Sequence, residues 1–206
     1  MTAPRAAPSR EAEDAGALLM RTVGHHRTAQ ASIPDRRGPR RLGLPAPSPS
    51  QERAQATLVR LMSITEAYTV DTLLRHAEPS AAGSGHPVAV AVYDDAAVAA
   101  VRDWRNMREA YKRWLHVTWD NAAYNPVSTL ADARNAVVHG LGTLTRQQTR
   151  SNPTGLRTRL AAAGAVVGPG DALSLPDAFV VAAARACRTF VEHVDVQVQQ
   201  RPAERR

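Results

Sequence analysis

Between residues 51 and 76 the side chains Leu58, Leu61, Met62, Thr65, Tyr68, Thr69 and Thr72 recur at steps of three and four, and Val59, Ile64, Ala67 and Leu74 add apolar cover on other faces. That period belongs to an α-helix, and apolar character on most faces belongs to a helix that is largely buried. Three further segments read the same way. In residues 94–117, Asp94 and Asp95 are placed to cap a helix with Ala97, Val101, Trp104, Tyr111, Trp114 and Leu115 inward and Arg102, Arg105, Arg108, Lys112 and Arg113 outward. Asn125-Pro126 is a helix-start signal ahead of TLADARNAVVHG, and Gly140 and Gly142 offer places to end that helix. Pro176-Asp177 opens a last helix to about residue 200, with Val180, Ala184, Cys187, Val191, Val194 and Val198 on one face. Just before it, AVVGPGDALSL reads as a small hairpin turning over residues 168–171. The fold class expected is all-α, a bundle of about four main helices with one small β-hairpin before the last.

A chain of 206 residues suits one core. Residues 1–49 hold seven of the 14 prolines and eight Arg against four acidic residues, without a sustained apolar period, and are expected to form a disordered basic arm. The helical domain is expected over residues 50–200, interrupted by a linker at PSAAGSGHP, with a tail at 201–206. The longest apolar run, seven residues from Ala178 to Ala184, falls short of the roughly 20 that cross a bilayer, so no membrane partner and a cytoplasmic location are expected. A single cysteine, Cys187, neither closes a disulfide nor builds a thiolate metal cluster, and its place in the apolar stripe reads as packing. Trp104, Tyr111, Trp114 and Trp119 read as core side chains rather than as a stacking platform for bases. The net charge of +7, built from 25 Arg and one Lys, favours an anionic partner. There is no GxxxxGK[ST] loop, GxGxxG turn, HExxH pair or nucleophile elbow, which argues against ATP-dependent phosphoryl transfer and dinucleotide redox chemistry.

Three Arg-x4-His spacings occur, Arg21 to His26, Arg188 to His193 and Arg134 to His139, where about one is expected by chance. Only the third has a polar residue directly after the Arg, small and apolar filling, a Gly after the His and a helix start upstream. This segment, RNAVVHG, resembles the Arg-x4-His motif of the HEPN superfamily, all-α proteins that include many metal-independent endoribonucleases. The layout of residues 51–200, with long helices before the motif and a hairpin plus a final helix after it, is similar to the RiboL-PSP-HEPN branch. The resemblance implies Arg134 and His139 as catalytic residues, no metal or other cofactor, RNA as partner, a homodimer with a composite cleft, and an antitoxin such as a nucleotidyltransferase. Some HEPN domains are catalytically silent binding modules, and that reading is the alternative.

The residue types suit the chemistry. Imidazole takes a proton from a ribose 2′-hydroxyl, guanidinium presents a charged fork to phosphate oxygens, and Asn135 is placed to orient either by hydrogen bonding. Products ending in a 2′,3′-cyclic phosphate and a 5′-hydroxyl are expected. Arg146 and Arg150 come after the motif either as contacts to backbone phosphates, with Arg146 counted as substrate-binding, or as solvated loop residues. At about 100° per residue, Leu130, Ala133, Val137, Leu141 and Leu144 form the expected core stripe. Asn135 and His139 stack on the opposite side, while Arg134 and His139 stand about 140° apart around the axis and about 7.5 Å apart along it. One straight helix does not aim both at a single phosphate, a geometry that a second copy across a two-fold axis would remedy.

Overall fold

The computed structural model describes residues 7–31, 48–83 and 87–201, and is all-α apart from one two-stranded hairpin. The helices are α1 (Arg10–Gln30), α2 (Pro49–Ala82), α3 (Pro87–Ala100), α4 (Trp104–Trp114), α5 (Asn121–His139), α6 (Arg146–Ser151), α7 (Pro153–Ala162) and α8 (Asp177–Gln199). The hairpin, β1 (Val166–Val167) and β2 (Leu173–Ser174), is antiparallel and turns through a short 3-10 segment at Pro169–Asp171. Among the described residues no helix is long and apolar enough to cross a membrane.

The largest departure from the sequence reading is the N-terminal arm. Residues 10–30 are not disordered but form α1, which lies in the angle between α2 and α8 and buries Ala12, Leu19, Thr22, Val23 and His26. Ser9 caps the helix by accepting from the backbone N–H of Ala12, and Glu11 and Glu13 favour its positive N-terminal end. Polar bonds hold both ends. At one, the buried Asp195 carboxylate accepts from the Ser9 N–H (2.8 Å), the Ser9 hydroxyl (2.6 Å) and the Tyr68 hydroxyl (3.2 Å). At the other, the buried His26 ring bonds Thr57 Oγ1 and Asp177 Oδ1, each at 3.1 Å. The rest of the expected arm, residues 1–6 and 32–47, lies outside the described residues, as do residues 84–86 of the expected linker and 202–206 of the expected tail.

The expected long helix is α2, extended at both ends and running through Pro79. The segment expected as one helix over residues 94–117 is instead two. Asp94 and Asp95 lie inside α3, and the capping residue is Asp103, whose Oδ1 accepts from the Asn106 N–H at 2.8 Å and starts α4. The third helix begins five residues before Pro126, capped by Asp120, so Pro126 sits inside α5 rather than at its start. α8 and the hairpin keep the expected boundaries within a residue or two.

Trp119 is the aromatic hub of the core. Its ring lies 4.9 Å from that of Tyr111, 5.0 Å edge-on to Phe190 and 5.5 Å from Tyr124, measured between centroids, and so joins α4, α5 and α8. Cys187 is buried as packing, and burial pushes its thiol up to about 11.

Two outcomes are expected. Leu19→Ala, at a fully buried position of α1, costs about 3 kcal/mol and lowers Tm by roughly 6–12 °C in scanning calorimetry, whereas an undocked arm would leave Tm unchanged. Burial raises all four tyrosines, Tyr68, Tyr93, Tyr111 and Tyr124, above their usual value, with the Asp195 charge the second cause at Tyr68. Because the folded values exceed the unfolded value of about 10, this stabilisation is complete below pH 10 and is lost as pH rises through the folded values. Tyrosinate absorbance and loss of the far-ultraviolet helix signal are therefore expected to rise together above pH 10; ionisation of all four near pH 10 with the helices intact would contradict it.

Candidate functional site

α5 carries the motif, and its register is set by what it buries. Val127, Leu130, Ala133 and Ala136 face the core, toward α2 and α8. The stripe continues less far than expected, because the helix ends at His139. Leu141 falls beyond the end, takes a left-handed φ of 52° and is 64% exposed, so it is not a core residue, while Leu144 is buried.

The turn after His139 depends on two glycines. A Cβ on Gly140 would stand 1.8 Å from the carbonyl oxygen of Thr143, and Gly142 has a φ of 87°. The Thr143 N–H donates to the Gly140 carbonyl (2.9 Å), the Leu144 N–H to that of Asp171 (3.0 Å) and the Leu173 N–H to that of Gly142 (2.8 Å). The end of α5 is thereby sewn to the hairpin. Thr145 and Gln148 then form a capping box for α6, and the Gln148 amide donates to the Asp132 carbonyl of α5 at 2.8 Å. From α7, Arg159 pairs with Asp132 at 2.9 Å.

These links enclose a groove of about 610 Å³ between α5, α6 and α7, whose walls include Asp132, Asn135, His139, Arg146, Gln147, Gln148, Asn152 and Arg159. Asn135 is half-buried, and His139 is exposed. Three of the four residues singled out in the sequence, Asn135, His139 and Arg146, therefore line one groove. The fourth, Arg134, does not. Its Nη2 donates to Glu66 Oε2 of α2 at 3.1 Å, and its Nη1 donates to Asn135 Oδ1 at 3.1 Å. Arg134 thus reaches the groove only through Asn135, whose amide N–H groups remain for a ligand.

Sequence reasoning missed Asp132, Arg159 and Glu66. Asp132 was within reach of it, since Asp132, Asn135 and His139 lie at i, i+3 and i+7 on one helical stripe. Arg159 and Glu66 arrive from distant segments and carry no local signal.

The other two Arg-x4-His spacings have structural roles. His26 is the buried junction of α1, α2 and α8 described above. His193 Nε2 accepts from the Asp120 N–H at 3.1 Å and so anchors the start of α5; burial holds its imidazole below the usual value, against the opposing pull of the Asp120 carboxylate. Arg188 bonds Glu192 in the next turn. Among the described residues no three His, Cys, Asp or Glu side chains gather as metal ligands would. Comparison of the chain with models of known families, with curated proteins and with solved structures gives no match.

The Arg134–Glu66 pair is testable by a double-mutant cycle. Both side chains are partly shielded, 29% and 27% exposed, so urea unfolding of wild type, Glu66→Gln, Arg134→Met and the double variant is expected to give a coupling of about 1 kcal/mol. Additive effects would show that Glu66 does not hold the guanidinium.

Proposed function

We propose that this chain is a HEPN-like, metal-independent endoribonuclease with His139 as its general base. The observation that carries the reading is that the exposed His139 lines a groove also lined by Asn135, Arg146 and Arg159. An RNA strand lying there has phosphate-binding donors on the α6 and α7 walls and a proton acceptor on the α5 wall.

His139 takes the proton of a ribose 2′-hydroxyl; the 2′-oxygen attacks the adjacent phosphorus, a P–O2′ bond forms, and the P–O5′ bond breaks. The 5′-oxygen leaves with a proton from an imidazolium or from water. The nucleophile belongs to the substrate, so DNA is inert. Guanidinium stabilises the extra negative charge of the transition state. Arg134 is turned toward α2 in each copy, so the active form is a homodimer whose two-fold axis brings the motif segments together, with Arg134 released from Glu66 as the substrate phosphate enters the composite cleft.

One observation favours a second reading, a catalytically silent module that binds RNA, a nucleotide or a protein partner. The Arg134 guanidinium is already engaged by Glu66 and Asn135, leaving His139 without a cationic neighbour from its own motif.

Cleavage of total RNA by the purified protein separates the two. The nuclease reading expects cleavage that persists in EDTA, leaves 2′,3′-cyclic phosphate ends, and falls about 100-fold or more in His139→Ala, with Arg134→Ala also impaired. Arg113→Gln, at an exposed position of α4, serves as the control that retains cutting. Wild-type rates in folded His139→Ala would remove the site, and binding without cleavage would favour the silent module. Recovery of activity on mixing the His139→Ala and Arg134→Ala chains reports the composite dimer.

A further inference from the structure

A second polar cleft lies away from the groove. It is a cavity of about 290 Å³ between the C-terminal half of α1 and the N-terminal part of α2, lined among others by Thr22, His25, His26, Arg53, Thr57 and Arg60, with no carboxylate among the described residues of its wall. At about 100° per residue, Arg53 and Arg60 share one face of α2, and Glu66 lies about 120–140° around the helix from them. The cleft is therefore separate from the Arg134–Glu66 pair and from the proposed nuclease groove, and its chemistry is independent of whether that groove cleaves RNA.

Hydrogen-bond accounting shows what the cleft lacks. Among the described residues three buried side-chain polar atoms have no partner, Gln30 Oε1, Arg53 Nη1 and Trp119 Nε1. Arg53 Nη1 is the one that bears positive charge, and Arg53 lines this cleft. A buried cationic N–H without an acceptor is costly, so such an atom marks the place of a missing partner. None of the polar side chains lining the cleft accepts from Arg53 Nη1. The Thr57 hydroxyl donates to the Arg53 carbonyl at 2.8 Å and meets His26 Nδ1, His26 Nε2 is bonded to Asp177, and the Thr22 hydroxyl donates to the Leu18 carbonyl at 2.8 Å. Three groups able to donate remain, the guanidinium groups of Arg53 and Arg60 and a ring N–H of His25, from two helices and with no carboxylate among the described lining residues. A tetrahedral oxyanion offers several acceptor oxygens to donors that converge from different directions, and guanidinium meets two of them at once.

We propose that this cleft is a phosphate-binding site, with the half-buried Arg53 as its anchor and the exposed Arg60 and His25 closing on the outer oxygens. The phosphate group is free, a monoester, or part of a nucleic-acid backbone; the recognising chemistry is the same.

The test uses the full chain and inorganic phosphate, titrated calorimetrically at constant ionic strength maintained with sodium chloride. Wild type is expected to saturate with a Kd on the order of 1 mM. Arg60→Gln weakens binding about tenfold, Arg53→Met abolishes it, and Arg113→Gln, at an exposed position of α4, leaves it unchanged. Stability gives a second reading. Arg53→Met removes the buried N–H that lacks an acceptor, so in phosphate-free buffer it melts at a higher temperature than wild type, and it no longer gains from added phosphate as wild type does. Competition then names the source: displacement of phosphate by a ribo-oligonucleotide without terminal phosphate assigns a backbone phosphodiester, and displacement only by small phosphate esters assigns a free ligand. A wild-type response no larger than that to sodium chloride, or undiminished phosphate binding by Arg53→Met, overturns the proposal.

Discussion

Two carboxylates of α8 hold the bundle in register. Asp177 stands at the start of the helix and Asp195 near its end, 18 residues apart, or about 27 Å along the axis. Their partners on α1, His26 and Ser9, are 17 residues apart, about 26 Å. The antiparallel helix therefore docks with both ends bonded and its apolar stripe buried between them. Thr57 and Tyr68 of α2 join the same two clusters, so α1, α2 and α8 are fixed against one another by polar bonds at each end of a shared apolar seam. A buried carboxylate or imidazole with every bond made specifies one alignment, because a slip by one helical turn would strand each of them without a partner. The candidate groove inherits this order. α2, once placed, presents Glu66 to Arg134, and its Gln51 holds the backbone of Leu175 at the end of the hairpin to which the turn after His139 is sewn.

How much of this was legible depended on whether the information was local. α8 and the hairpin are dictated by an uninterrupted apolar period and a Gly-Pro-Gly turn, and the motif helix by its stripe. α1 was obscured by averaging. The prolines of residues 1–49 lie at 4, 8, 34, 39, 45, 47 and 49, all outside Arg10–Gln30, and within that proline-free stretch Ala12, Gly16, Leu19, Val23 and His26 recur at steps of four and three. Read by itself, with Ser9 as cap and acidic residues in the first turn, the segment has a helix signature; read as part of a proline- and arginine-rich tract, it has none. The break before Trp104 was missed for a different reason. Asp94 and Asp95 make a tempting cap, but Asp103 has the decisive spacing to Asn106, and the choice between such signals is made by the packing of Trp104 and Met107.

The same distinction runs through the site. Asp132, Asn135 and His139 share one helical stripe and are readable from spacing alone. The α7 wall of the groove, and the fact that Arg134 turns away from it, are tertiary facts. The angular offset of about 140° between Arg134 and His139 was visible in advance, but whether the guanidinium would bend toward the imidazole or find another partner depended on Glu66, which lies 68 residues earlier in the chain.

Arginine, used here almost to the exclusion of lysine, is less a general sign of anion binding than a cross-linking device. Arg75 bridges Glu11 and Asp71, Arg134 bridges Glu66 and Asn135, and Arg108 donates to the Trp119 carbonyl and Asn121 Oδ1 while lying 4.6 Å over the ring of Tyr124. Arg75 and Arg134 reach two acceptors with both prongs of the planar fork, and Arg108 reaches two from its Nη2 alone, a geometry that the point charge of lysine reproduces less well. The formal charge of +7 is thus a poor map of where an anion sits, because a guanidinium with both prongs occupied is already part of the scaffold. The informative quantity is whether a guanidinium has an acceptor within the protein for each of its buried N–H groups. By that measure Arg134 belongs to the scaffold of the isolated chain and must be released or supplemented before it can act on a phosphate, whereas Arg53 has a buried N–H for which the described residues provide no acceptor.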